Sequence, residues 1–162
     1  MGYNISNARF CKVCRGATVL SIAASGTPQT VDFTTAVKNA NSLWEGVTNP
    51  SRITANRPGW YRVTAYAEFA ASATGDRDLR IIKNGSATAI LGQAVVKSAT
   101  LITVLTVDAL VYLNVNDYVQ MVVNQTSGGA LDLTATAAKE CPSLSLQLVL
   151  PEAFSSGAYE RE

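Results

Sequence analysis

There is no histidine among the 162 residues. The side chain that changes charge nearest neutral pH is therefore missing, and general acid–base work would fall to Asp, Glu, Lys or Tyr. Charge is scarce as well: 15% of residues are Asp, Glu, Lys or Arg, and the net charge is +1. The thirteen Lys and Arg are scattered, so no basic patch marks a nucleic-acid or anionic-lipid partner. A low charged fraction in a folded domain points to surface that meets protein rather than water. Apolar runs are no longer than a strand, which excludes a spanning helix. The opening Met1-Gly2-Tyr3-Asn4-Ile5-Ser6 lacks the apolar core of a secretory leader. The expectation is a chain made and assembled in a cytoplasm, with no membrane and no nucleic acid as partner.

Cysteine is limited to Cys11, Cys14 and Cys141. An odd count argues against a disulfide-stapled secreted fold. Cys11-Lys12-Val13-Cys14 has the spacing of a zinc corner or a redox pair. Zinc would need a fourth ligand, and there is no histidine to supply it. A redox pair sits at a strand-to-helix turn, and no helical period of useful length is present. The three therefore read as ordinary thiols near the edge of the core. The acids Asp76, Asp78, Asp108 and Asp117 fall at loops or strand ends, where polar residues are the rule. Asp76-Arg77-Asp78 offers two carboxylates, short of the roughly six to eight oxygens that calcium takes. No catalytic residue, cofactor or metal is expected.

What is present is the pattern of strands. Thr and Val are abundant and favour extended backbone. Tyr61, Val63, Ala65, Ala67 and Phe69 fall on one face of a segment, with Trp60, Arg62, Thr64, Tyr66 and Glu68 on the other, a clean period of two. Further strands are read at Ala17–Ala23, Gln29–Phe33, Ser51–Ala55, Leu79–Lys83, Ile90–Val96, Thr100–Asp108, Ala109–Val115, Tyr118–Asn124, Leu131–Thr136 and Ser143–Leu150. Asn84-Gly85 is a hairpin turn, and Gly92 suggests a bulge. Pro28, Pro58-Gly59, Ser127-Gly128-Gly129 and Pro151 punctuate the rest. Trp44, Trp60, Tyr61, Tyr66, Tyr112 and Tyr118 are spread over separate strands, which favours packing over a sugar site. Such spacing means an all-β antiparallel sandwich of about ten short strands filling one domain. Residues 1–15 read as an N-terminal arm, 16–151 as the sandwich and 152–162 as a flexible C-terminal tail.

Pro58-Gly59-Trp60-Tyr61, Leu79-Arg80-Ile81-Ile82-Lys83-Asn84-Gly85 and Leu113-Asn114-Val115-Asn116-Asp117-Tyr118-Val119, taken in order, resemble the turn, the Lys-Asn-Gly strand end and the Gly-Asp turn of a known family. That family comprises the globular head of the first complement component and the tumour necrosis factor superfamily. Asn116 stands where the family has Gly, and Asn tolerates positive φ best after Gly. Ser143–Leu150 is similar to the closing strand but lacks its Phe and Gly. The resemblance spans roughly residues 17–150. It implies a jelly roll that packs into a homotrimer, with the sheet that holds Tyr118–Val123 on the three-fold axis. Tyr118, Gln120, Val122 and Tyr112, or the opposite register of that strand, are then the interface candidates. Domains of this type also occur on bacteriophage particles. The lack of a leader and of a collagen stalk and the odd cysteine count favour that setting. The sequons at Asn4, Asn84 and Asn124 read as chance and turn chemistry.

These readings converge on a non-enzymatic virion protein, a homotrimer that decorates or cements a phage capsid surface. Its other partner is the major capsid protein, gripped through Ile5, Arg9, Phe10 and Lys12 of the arm. The alternative is a receptor- or glycan-binding tip of a tail or head fibre, with exposed aromatics in loops 38–49 or 70–78.

Overall fold

The computed structural model describes residues 9–16, 19–24, 26–97, 100–134 and 141–151. They form twelve strands: β1 (Phe10–Cys14), β2 (Leu20–Ile22), β3 (Gln29–Thr30), β4 (Thr35–Asn39), β5 (Arg52–Thr54), β6 (Gly59–Phe69), β7 (Asp76–Lys83), β8 (Ile90–Lys97), β9 (Thr103–Leu113), β10 (Tyr118–Gln125), β11 (Leu131–Leu133) and β12 (Ser143–Pro151). A single 3-10 turn, Ala40–Ser42, interrupts them. No helix among the described residues is long and apolar enough to cross a membrane.

All pairings are antiparallel, and they build two sheets. In the seven-stranded first sheet β6 is central. Its full length pairs with β9 on one side; on the other it pairs with β12, then with β11 at Phe69. Beyond β12 come β1 and the edge strand β4; beyond β11 comes β2. The five-stranded second sheet runs β8, β7, β10, and β3 and β5 share the far edge of β10. The period-two residues of β6, Tyr61, Val63, Ala65, Ala67 and Phe69, are all fully buried. They meet Leu79, Ile81, Val119, Met121 and Val123 of the second sheet in one core. Each Val, Leu, Ile, Met or Phe among them contributes about 1.5–3 kcal/mol on burial.

Several sequence expectations change. Of the expected arm 1–15, residues 1–8 lie outside the described residues, and Phe10–Cys14 is not arm but β1, hydrogen-bonded between β12 and β4, with Cys11 and Val13 in the core. Five residues of weak alternation at the end of a polar lead-in were too little signal for a strand. Thr100–Asp108 and Ala109–Val115 are not two strands but mostly one, β9. Asp108 does not break it because its carboxylate sits on the outer face, held by Arg62 and Thr64. The segment Thr35–Asn39, whose last two residues fall in the expected loop 38–49, is the edge strand β4, every residue of it exposed. The thiols also differ: Cys14 and Cys141, 127 residues apart, are joined in a disulfide with Cα atoms 5.8 Å apart, and only Cys11 is free. Spacing in sequence gave no hint of it, because β1 and the approach to β12 become neighbours only in the folded sheet. The tail 152–162 and Ile5 lie outside the described residues.

The registers also give the molecule two distinct ends. Arg9 lies beside Leu148, its carbonyl accepting from the Leu148 N–H at 2.9 Å, and Gly59 pairs with both Pro151 and Leu113. Hence Arg9 and Pro151 lie at one end, together with loops 55–58, 84–89 and 114–117. Loops 70–75 and 126–130 are at the other, the free end. There the buried Arg77 and Gln125 lie opposite each other and close the core. Arg77 donates to the carbonyls of Ser72, Thr74 and Asp76. Gln125 donates to those of Ile22 and Gly129.

Candidate functional site: an exposed apolar face

The outer face of the first sheet gathers several of the large apolar side chains that remain in water. Cross-strand partners share a face, so the registers lay it out in rows. At the end that holds Gly59 and Pro151, Leu150, Trp60 and Tyr112 lie side by side; the next row is Gln147, Arg62 and Leu110. The Trp60 and Tyr112 rings meet edge to face, with centroids 5.8 Å apart. Trp60 is 43% exposed, Leu110 63%, Val149 56% and Leu150 61%. These four line an open cleft of about 280 Å³ with almost no polar lining. A bulge makes it. The register of β12 against β6 slips between Leu148 and Leu150, so Val149 is an extra residue. The even-numbered apolar alternation of this strand puts Leu144 and Leu146 in the core, and the bulge turns Leu150 outward.

Further along the face the chemistry becomes polar. Arg62 Nε donates to both carboxylate oxygens of Asp108, at 2.9 and 3.0 Å, and Thr64 Oγ1 adds a bond of 2.8 Å. The Arg62 hydrogen bond holds the Asp108 carboxyl below its usual range. Both side chains are about half exposed, so water screens the pair and it adds little to stability. At the far end Glu68 is buried and accepts from Thr134 Oγ1 at 2.6 Å and Tyr66 Oη at 3.3 Å. Phe10 and Lys12 face outward here too, as Phe10 pairs with Gln147 and Lys12 with Ser145.

The residues expected at interfaces are thus redistributed. Tyr112, Phe10 and Lys12 come together on this one face. Arg9 is part of the fold, near the hydroxyl of Tyr61. Tyr118, Gln120 and Val122 lie on the outer face of the second sheet and are engaged within the chain. Arg52 stacks 4.6 Å from the centre of the Tyr118 ring, Gln120 Nε2 donates to Ser51 Oγ at 3.0 Å, and Val122 is 6% exposed. The opposite register, Val119, Met121 and Val123, is core. Trp60, Leu110, Val149 and Leu150 were not singled out from sequence as a surface. The polar register of β6 that contains Trp60 was the available signal.

The loops are short of binding chemistry. Loop 70–78 contains no aromatic residue, and Trp44 is half-buried with its indole N–H on the Pro50 carbonyl. Asp78 is committed to Arg80 and Gln93, which leaves Asp76-Arg77-Asp78 without two free carboxylates. Among the described residues no three His, Cys, Asp or Glu side chains cluster as metal ligands would. The Asn84 side chain of the second sequon is hydrogen-bonded within the fold: its amide donates to Asp117 Oδ1 at 2.7 Å.

No protein-family model matches the chain, and no curated protein matches it in sequence. Solved structures do match. Murine APRIL in a crystal at pH 5.0 superposes with a TM-score of 0.64 at 10% identity, over 88% of this chain and 100% of that one. The globular domain of zebrafish complement 1qA gives 0.59 at 17% identity, over 88% and 98%. The fold is that jelly roll. At such identities the likeness speaks for the architecture the sequence resemblance implied, and for nothing finer.

Proposed function

We propose that this protein is a non-enzymatic structural component of a virion, a homotrimer that decorates a bacteriophage capsid and binds its major capsid protein. The observation that carries the assembly is the outer face of the first sheet: Trp60, Leu110, Val149 and Leu150 stand exposed around an apolar cleft. A contiguous exposed apolar patch of this kind often marks an interaction site. The interface we propose centres on these four with Tyr112, in place of Tyr118, Gln120 and Val122. A ring of three copies is closed, so each face is covered and no sticky patch is left to polymerise. The low charged fraction supports burial of further surface against the capsid. Phe10 and Lys12, on the same sheet face, extend the surface on offer. Surface location on a capsid, after assembly in the host cytoplasm, follows from that reading.

The test is the copy number of this chain in purified particles, by quantitative mass spectrometry. Hundreds of copies per particle are expected. A few tens would favour the fibre-tip alternative; none would remove the virion reading. The alternative has one observation in its favour. At the end away from Arg9 and Pro151, Thr74 and Asp76 bond to Ser127 and Thr126 and tie two loops into one platform.

A further inference from the structure

The three cysteines are placed unequally, and their placement suggests regulation of the face just described. Only the final step of this inference rests on that face being the docking surface. Cys14 ends β1, facing outward with Phe10 and Lys12. It is nearly buried, whereas its partner Cys141 is partly exposed. Cys11 points the other way, into the core, fully buried.

We propose that Cys14 and Cys141 are a reversible thiol–disulfide lock that fixes β1, and with it Phe10 and Lys12, into the docking face. The co-reactant is a small thiol or its disulfide, of the glutathione class. In the reducing direction the external thiolate attacks Sγ of Cys141, the accessible sulfur. The S–S bond breaks and Cys14 leaves as a thiolate, received by the Gly16 N–H that already lies 3.4 Å from its Sγ. A second external thiol then attacks the mixed disulfide at its external sulfur and releases Cys141. Two external thiols become one external disulfide, and their two protons and two electrons end on Cys14 and Cys141. Oxidation is the reverse. Cys11 does not scramble the pair, because it lies on the opposite face of β1 and burial pushes its thiol up to about 12.

The lock acts on β1 because the bond sits at the strand's end, beside the Arg15 N–H to Pro142 carbonyl bond of 2.9 Å. The edge strand β4 joins the sheet only through β1. A chain assembled in a cytoplasm would then fold with the lock open and close it on release into an oxidising medium.

The experiment uses the full chain and trypsin, whose targets Lys12 and Arg15 flank Cys14. The unreduced, denatured protein should yield one alkylatable thiol, Cys11, and the reduced protein three. Native cleavage after Lys12 and Arg15 should accelerate by about tenfold or more on reduction with excess glutathione. Cys14→Ser/Cys141→Ser should cleave at the reduced rate in either medium, and Cys11→Ser should behave as wild type. Three titratable thiols in the unreduced protein, or equal cleavage rates, would overturn the lock. Solution mass in both media separates the two ideas: a monomer in oxidising buffer removes the trimer, while the digestion still decides the lock.

Discussion

At the scale of the residue, the turn motifs act through one carboxylate. Asp117 accepts from Lys83 Nζ at 2.7 Å, from Asn84 Nδ2 at 2.7 Å and from the Asn114 N–H at 2.8 Å. Asn84 in turn accepts from the Tyr118 N–H at 2.8 Å. Two stretches some thirty residues apart are so tied into one knot. Partial burial pushes the Asp117 carboxyl up, but the bonds from Asn84, Lys83 and Asn114 outweigh it and leave it at about 2. Its folded value lies below its unfolded one of 3.8. The stabilisation is therefore full above about pH 4 and disappears as pH falls toward 2. Asp117→Asn should cost about 1.5–3 kcal/mol in denaturant unfolding at pH 7 and nearly nothing at pH 2; an equal cost at both would disprove the knot. Gly85 belongs to it as well. Asn84 and Gly85 both take positive φ, 53° and 70°, in a turn closed by the Ser86 N–H on the Lys83 carbonyl. A Cβ on Gly85 would also lie 2.9 Å from the Tyr118 hydroxyl. Gly85→Ala should cost about 1–2 kcal/mol by thermal or chemical denaturation.

At the scale of the element, β1 separates two truncations. Removing residues 1–8 leaves β1, its disulfide and Cys11 in place, so the melting temperature should be unchanged. Removing 1–15 takes away a strand between β12 and β4, with Cys11, Val13 and Cys14. It should give insoluble or unfolded protein by circular dichroism. Equal stability of the two would mean that β1 is dispensable. If residues 1–8 grip the capsid, their loss alone should abolish particle binding while the oligomer survives. The strands the sequence announced well were those with long alternation: β6 from Tyr61 to Phe69, β10 from Tyr118, β12 from Ser143. Their period is a direct consequence of having one face in the core. β1 and β4 were hidden, since a short strand near a sheet edge is specified by its neighbours more than by its own side chains. The break read at Asp108-Ala109 failed for a related reason. A charge on an outward position interrupts hydrophobicity without interrupting the strand. Gly92, read as a bulge, does sit beside one, between Ile81 and Ile82 of the partner. Its missing side chain has a second cause: a Cβ there would stand 2.6 Å from Val107 Cγ1, across the gap to β9.

At the scale of the whole molecule, the architecture was legible because turn motifs and strand periods agreed with one another. The face that now matters was not. Leu150 belongs by alternation to the core, and only the bulge at Val149 turns it outward beside Trp60. Val122 looked available and is covered. Which apolar residues stay in water depends on register and on what other loops cover, and neither is written locally. The central claim is that three copies meet through that face, and each leucine fully covered there adds about 1.5–3 kcal/mol to assembly. The most direct measurement is the solution mass of wild type, Leu110→Glu and Gln120→Glu by light scattering. The account predicts about three times the 17.1 kDa chain mass for wild type and Gln120→Glu, and a single folded chain for Leu110→Glu. A wild type of one chain mass, or dissociation by Gln120→Glu with Leu110→Glu still assembled, would contradict it.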